Sequence, residues 1–491
     1  MRFCDILSDV KILATNIPSY NFCFGKICSD SSKAELGDVF VCRRGSTADG
    51  HDFIEKAYKL GARTFIVDRI TDYMLQNPQL RYIRVADTSL TEVKMLDAAY
   101  GYPSRGMKLI GITGTNGKTS TAYMIKAILD AAGYRTGLIG TVKSFAGEDD
   151  ITHTSSVSKF SSMTTPSPVE LFSLLADMKR RGCNAVVMEA SSHALAQKRL
   201  DSLRFTVGIF TNLSEDHLDY HKDISDYRNA KAHLFDLCKT ALINTDSHDG
   251  KLIANACPCN FFTYGTDTDA DFFADAPLFE STQTSFTLCD NARMNIVCPI
   301  PGEFTLYNAL AAASCAKLLG VTDEAICCAL KGLKQIPGRL ERVSVPTGTN
   351  VFIDYAHTPD ALEKVLITLR KSCNGKLITV FGCGGDRERE KRPIMGRIAT
   401  SLSDITVITS DNPRSEDPKK IISEIAVGVK RNSDFRIIEN RAQAIEFALS
   451  VSKAGDTVLL AGKGHEDYEV VGNEKRHFSE HEVIKSLYKE R

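Results

Sequence analysis

Residues 107–120 read MKLIGITGTNGKTS. An apolar run from Met107 to Ile112 enters a glycine-rich turn closed by Gly117, Lys118 and Thr119, and a helical pattern follows. This succession predicts a phosphate-binding loop. Its backbone N–H groups and helix N-terminus hold polyphosphate, the lysine ammonium reaches the outer oxygens, and the threonine hydroxyl ligates Mg²⁺. The full pattern wants a glycine where Ile112 stands, and Gly111 is one place early. The working core is therefore Gly114-Thr115-Asn116-Gly117-Lys118-Thr119, with Ser120 next. A bare Gly-Lys-Thr is weak by itself. The strand before it and the helix after it favour nucleotide binding over an ordinary turn.

Outward from the loop, short apolar runs end in polar residues. Ala185-Val186-Val187-Met188 ends in Glu189, Val207-Gly208-Ile209-Phe210 in Thr211-Asn212, and Ala241-Leu242-Ile243 in Asn244. Fully apolar strands alternating with helices predict a parallel sheet buried on both faces. Ligands of such sheets lie beyond the carboxyl ends of the strands, where Lys118, Glu189 and Asn212 fall. The fold class is α/β with three domains. A small α/β domain (1–103) precedes a central parallel-sheet ATPase (104–335), and a Rossmann-like domain (336–491) follows. Tyr102-Pro103-Ser104 and Pro337-Gly338-Arg339 mark the joints.

The 491 residues are 43% hydrophobic and 25% charged, which suits a globular protein with sizeable cores. A net charge of −1 gives no bulk attraction for nucleic acid or a membrane surface. The anionic ligand must be met by local groups. Fifteen scattered cysteines without C-x-x-C spacing read as reduced thiols, with a packing role for Cys383. Asp5, Asp9 and Lys11 interrupt any apolar leader, and the greasy run Ala309 to Leu319 is too short to span a bilayer. The expectation is a cytoplasmic monomer acting on small molecules.

Glu189, at a strand end beside the loop, is a candidate Mg²⁺ ligand. Ser191-Ser192-His193 lacks the glycines of a nucleophile elbow, so substrate hydrogen bonding is favoured over nucleophilic attack. His217 and His221 have the spacing of one helical face, which suggests zinc, but no further ligand with metal spacing accompanies them. One histidine aiding a hard Mg²⁺ site with Glu189 and Thr119 fits better. Lys231 by itself reads as a surface helix residue.

Together the motifs GTNGKTS (114–120), MTTPSP (163–168), MEASSHALAQKR (188–199), FTNLSEDHLDYH (210–221), PGEFTLYNALAA (301–312), PGRLE (337–341), DYAHTPD (354–360), GCGGDRE (382–388), DNPRSEDP (411–418) and AGKGHEDYE (461–469) resemble the Mur ligases, in the branch that adds meso-diaminopimelate. The resemblance spans nearly the whole chain. It implies domains for the UDP end of a muramyl peptide, for ATP and for the incoming amino acid. It also implies a reaction, in which ATP converts a D-glutamyl carboxylate to an acyl phosphate that the amine then attacks.

By motif, Gly114 to Ser120 hold the phosphates, while Asn308, Arg339, Asp354 and His357 match nucleotide contacts. Ser31, Thr164, Thr165, Ser191, Gln197 and Arg199 match muramyl-peptide contacts. Lys231 matches a carbamylated lysine that serves a second Mg²⁺, which reverses the surface reading. Arg387, Asp411, Asn412, Pro413, Arg414, Gly462 and Glu466 match the diaminopimelate pocket. A guanidinium suits the distal carboxylate of diaminopimelate and repels the ammonium of L-lysine. The first domain departs from the family, with Asp30-Ser31-Ser32 where Asp-Ser-Arg is usual and Gly45-Ser46-Thr47 in the uracil-side loop. Rival readings are the same ligation with L-lysine or another amino acid, a folylpolyglutamate-synthetase-like ligase, and a nucleotide-binding regulator without ligase activity.

Overall fold

The computed structural model describes residues 2–45, 48–152, 163–218 and 220–489. Ser46, Thr47 and Asp219, each in a motif quoted above, lie outside them. Three sheets carry the chain, with a terminal hairpin of Tyr468–Val471 and Glu474–His477. The first sheet runs Ala14–Thr15, Arg81–Arg84, Thr64–Val67, Val39–Val41, Ile27–Cys28, parallel except at its first pair.

The central sheet has eleven strands. Its parallel part runs from Phe272–Phe279 through Asn260–Gly265, Cys238–Asn244, Phe205–Phe210, Lys108–Thr113 and Ala185–Glu189 to Thr136–Ile139. Antiparallel strands extend both edges: Thr284–Cys289 and Arg293–Cys298 on one, Ser144–Ala146 and Asp149–Asp150 on the other. The sheet is therefore mixed rather than purely parallel. The motifs did not announce these edges, because their strands are partly exposed and show no continuous apolar run.

Side chains alternate across each central strand. Leu109, Val186 and Met188 join an apolar cluster with Val39, Ile66 and Ile83 of the first sheet. Their neighbours Ile110 and Val187 join another, with the buried helix Glu303–Leu318 and with Leu362, Leu366 and Phe381 of the third sheet's layer. That helix contains most of the greasy run, which is core packing. The third sheet is ordered Glu341–Val343, Asn350–Asp354, Thr457–Ala461, Leu377–Phe381, Ile405–Ile408, Asp434–Ile437, parallel beyond its first pair. All fifteen cysteines are free thiols, and buried Cys383 packs on Met395. No described helix is long and apolar enough to cross a membrane.

Candidate active site at the seam of the central and third sheets

The phosphate loop joins strand Lys108–Thr113 to helix Lys118–Ala131. Gly114 (φ 143°) and Gly117 (φ 85°) hold backbone conformations that side chains rarely adopt, and a Cβ at either would strike Thr211 Oγ1 or Asn308 Oδ1. The loop is tied to the neighbouring strand end, since Asn116 N donates to Asn212 Oδ1 (2.9 Å) and Thr211 Oγ1 to Asn116 O (2.7 Å). Asn308 Oδ1 also accepts from Thr121 Oγ1 at 3.3 Å. Ser120 is half-buried in the helix's first turn.

Two lysines meet at one carbonyl. Lys118 Nζ donates to Gly114 O and Thr115 O, both at 2.8 Å, and Lys231 Nζ donates to the same Gly114 O at 2.8 Å. Lys231 is 1% exposed, on helix Ile224–Ala232 with its ammonium 4.2 Å from the Tyr227 ring centre. Burial pulls both lysines' pKa values down, Lys231 well below its ordinary value, and the Lys118 charge pushes Lys231 further the same way. Glu189, 1% exposed, is fixed by Thr141, whose N and Oγ1 donate to its two oxygens at 2.9 and 3.0 Å.

His217 (φ 57°) lies on a turn, and the described residues of 211–223 contain no helix or strand. The spacing of His217 and His221 is therefore not that of a helical face. His193 stands between them, with ring centres 4.9 and 5.7 Å away. Burial lowers the His217 pKa to about 4, helped by Lys118 and Lys231 against the pull of Asp216. Burial opposes ionisation of Asp216, yet His217, His357, Lys391 and Lys118 hold its carboxyl below the ordinary value. Among the described residues, no three His, Cys, Asp or Glu side chains converge as a metal-binding group.

The third layer closes over this loop. Arg339 Nη2 donates to Thr119 Oγ1 (2.9 Å), Asn116 Nδ2 to Asp360 Oδ2 (2.9 Å), and Leu218 N to Glu388 Oε1 (3.0 Å). Asp354 is buried at its strand end and accepts from Leu340 N (2.6 Å) and Ala356 N (2.8 Å). His357 pairs with the Tyr355 carbonyl at 2.8 Å, and burial beside Lys391 lowers its pKa.

On the other flank, Thr164 Oγ1 accepts from Thr141 Oγ1 at 3.1 Å. Thr165 Oγ1 bonds Glu189 O (2.8 Å) and Ser191 Oγ (3.1 Å). Ser191 caps the helix Ser192–Ala196. Arg199 donates to Thr165 O (2.9 Å) and, through Nε and Nη2, to Gln197 Oε1 (3.0 and 2.7 Å). Ser31 is buried in the first sheet's layer, whereas Ser32 is exposed and bonded to Asp30.

A second cluster lies beyond the third sheet. Asn412 Nδ2 donates to Glu466 Oε2 (2.8 Å), and its Oδ1 accepts from Lys463 Nζ (3.2 Å) and Val470 N (2.9 Å). Burial and nearby Asp411 raise the Glu466 pKa. Buried Pro413 leads into Arg414 (φ 51°), whose Nη1 donates to Gly385 O at 2.8 Å. Gly462 N bonds Asp354 O at 3.0 Å, so this cluster and the strand end at Asp354 share a backbone link. Arg387 is exposed and donates only locally, to Asp386 O at 3.1 Å.

Sequence comparison matches residues 112–316 to the Mur ligase middle domain, 338–464 to the Mur ligase glutamate ligase domain, and 25–93 to the Mur ligase catalytic domain family. UDP-N-acetylmuramoyl-L-alanyl-D-glutamate–2,6-diaminopimelate ligase of Clostridium botulinum is 41% identical over 95% of both chains. The chain belongs to the Mur ligase family. The corresponding ligase of Clostridioides difficile is also 41% identical, over 98% of both chains. A solved diaminopimelate ligase superposes with TM-score 0.67 at 29% identity, covering 99% of this chain and 98% of its own. Folylpolyglutamate synthase of Mycobacterium tuberculosis, solved with ADP, gives TM-score 0.62 at 22% identity but covers 77% of this chain.

Within this Mur ligase, sequence reading missed Thr141, Asp216, Asp360 and Glu388. Asp216 and Asp360 sit inside quoted motifs beside more conspicuous histidines. Glu388 ends a quoted motif but gains meaning only from its bond to Leu218 N across layers, and Thr141 only from its bonds to Glu189 at the end of a neighbouring strand, for which local sequence carries no signal.

Proposed function

We propose that this chain joins meso-diaminopimelate to the D-glutamyl carboxylate of UDP-N-acetylmuramoyl-L-alanyl-D-glutamate, with ATP as co-substrate, in peptidoglycan precursor synthesis. The observation that carries the chemistry is the buried pair Lys118 and Lys231 on the Gly114 carbonyl beneath a phosphate loop. Two cationic groups confined at one acceptor call for an anion, and polyphosphate supplies it. The γ-phosphoryl group passes to the D-glutamyl carboxylate, the amine attacks the acyl phosphate, and phosphate leaves. Gly114 to Ser120 cradle the phosphates, and Asn308, Arg339, Asp354 and His357 hold the nucleoside side. Thr164, Thr165, Ser191, Gln197 and Arg199 orient the acceptor, with Ser31 at its UDP end. Asp411, Asn412, Pro413, Arg414, Gly462, Glu466 and Arg387 receive diaminopimelate. The division of labour follows 1–103, 104–335 and 336–491, in a monomer working in the cytoplasm.

Mg²⁺ suits the donors present: the Thr119 hydroxyl, the Glu189 carboxylate and the His217 imidazole. A site with few protein carboxylates is typical of Mg²⁺ that shares its shell with phosphates. Once bound, Mg²⁺ neutralises charge on the transferring phosphoryl group. Burial and the Lys118 charge destabilise the Lys231 ammonium, so once it gives up a proton its amine is placed to add CO₂. The new C–N bond gives a carbamate as a second proton leaves, and a cation becomes an anionic oxygen donor.

The test is ADP release by the purified protein. Release that requires both UDP-muramyl dipeptide and meso-diaminopimelate supports the reading, and preference for L-lysine corrects the substrate alone. Release driven by a folate substrate and glutamate would favour the folylpolyglutamate reading. ATP binding without release under any pairing would favour a regulator.

A further inference from the structure

Three consecutive residues of the central layer, Gln197, Lys198 and Arg199, are each addressed by a charged residue of the first layer. Arg43, just after strand Val39–Val41, donates through Nη2 to Gln197 O at 3.5 Å. Asp87, which caps helix Thr88–Ala99, pairs with Lys198 Nζ at 2.6 Å. Lys198 itself sits at φ 56°, an unfavourable backbone conformation for a residue with a side chain. Glu92, on the same helix, is 0% exposed and takes Arg43 Nη1 at 3.2 Å. The Glu92 charge also acts on Arg199, whose own pKa burial and the Arg43 charge lower to about 10.

Glu92 is thus a buried carboxylate paired with Arg43 and acting electrostatically on Arg199 of the neighbouring layer. A buried carboxylate is costly unless it is paired, and removing it would leave Arg43 and Arg199 repelling each other across the seam. Neither Arg43 nor Glu92 belongs to the phosphate loop or the diaminopimelate cluster. Among the described residues, their reach into the site runs through residues 197–199.

We infer that Glu92 and Arg43 are positioning residues for the muramyl-peptide acceptor, clamping the Gln197–Arg199 segment so that the Gln197 and Arg199 side chains meet the substrate in fixed register. This rests on the assignment of Gln197 and Arg199 to that substrate. The clamp acts on one substrate of three, because ATP and diaminopimelate are held elsewhere.

The experiment is steady-state kinetics with each substrate varied in turn, on Glu92→Gln, Arg43→Met and the double variant. Each single variant is expected to raise KM for UDP-muramyl dipeptide about tenfold, with kcat and the other two KM values within about twofold. The double variant should be no worse than either single one, since both break the same clamp. Unchanged KM for the dipeptide, an equal loss with all three substrates, or additive losses in the double variant would overturn the inference. If Glu92→Gln does not fold, Arg43→Met, at a side chain 20% exposed rather than fully buried, decides alone by the same KM criterion. Gln197→Ala tests the underlying assignment separately. If its KM for the dipeptide is unchanged, the assignment is wrong. If that KM rises while the clamp variants behave as wild type, only the clamp is wrong.

Discussion

The phosphate-loop seam and the cluster around Asn412 are both buried and polar, but they handle charge in opposite ways. Around Asn412 the groups satisfy one another: Lys463 and Glu466 flank the amide, and Arg441 Nη2 bonds Ala461 O at 2.8 Å and pairs with Glu480 at 2.8 Å. At the seam, Lys118 and Lys231 converge on one carbonyl, with Glu189 engaged by Thr141 instead. A balanced cluster can recognise a ligand without changing. The seam, with two ammonium groups on one carbonyl and Asp216 beside them, leaves room for a further anion, and the proposed group transfer is placed there.

The sharpest way to break this contrast is Lys118→Ala. Turnover should fall about a thousandfold, the scale expected for losing a buried cationic stabiliser. Without nucleotide, thermal stability should hold or rise, because Lys231 loses its like-charged neighbour. ADP-release assays and melting curves check the two halves, and a marked loss of stability would contradict the imbalance. Next is Lys231→Ala, expected to cost about a hundredfold in kcat. Acetate should partly restore it by replacing the carbamate oxygens. Intact-mass measurement of active wild-type protein under CO₂ that found only free amine would sink the carbamate.

For the balanced cluster, Arg414→Ala should act mainly on KM for diaminopimelate. Losing a charge-assisted contact of about 1.5–3 kcal/mol corresponds to about ten- to a few hundred-fold. Poor use of L-lysine should stay the same or improve. Equal effects on both amino acids would remove Arg414 from the selectivity argument. The smallest effect concerns pH. His217 is lowered from 6.5 to about 4 in the folded protein, so between those values the unfolded chain takes up a proton that the folded one refuses. Stability contributed by neutral His217 is full above pH 6.5 and declines as pH falls toward 4. Melting temperatures of His217→Gln should therefore fall less steeply across that window than those of wild type.

Local chemistry explains how far the sequence carried. The glycine loop and the apolar runs before Glu189, Thr211 and Asn244 are set by neighbours in the chain, and they occur within a residue or three of their expected places. The edge strands from Phe272 to Cys298 escaped notice. Their pattern is half-exposed, and the pairing shifts register between Asp275 and Leu278. In the site, Lys118 and Glu189 were legible because strand ends converge by topology. The environment of Lys231 was not. A nine-residue helix with an average polar composition reads as surface, and only its docking against the loop buries the lysine. The bonds from Asp360, Glu388 and Arg43 likewise depend on how layers meet.

The alternation of side chains across the central sheet has one more consequence. Each face of that sheet completes its apolar core with residues from a neighbouring layer: Val39 and Ile66 on one side, Leu362 and Phe381 on the other. Neither flanking layer can melt without stripping a core it shares with the middle. Heating should therefore give one cooperative endotherm rather than three.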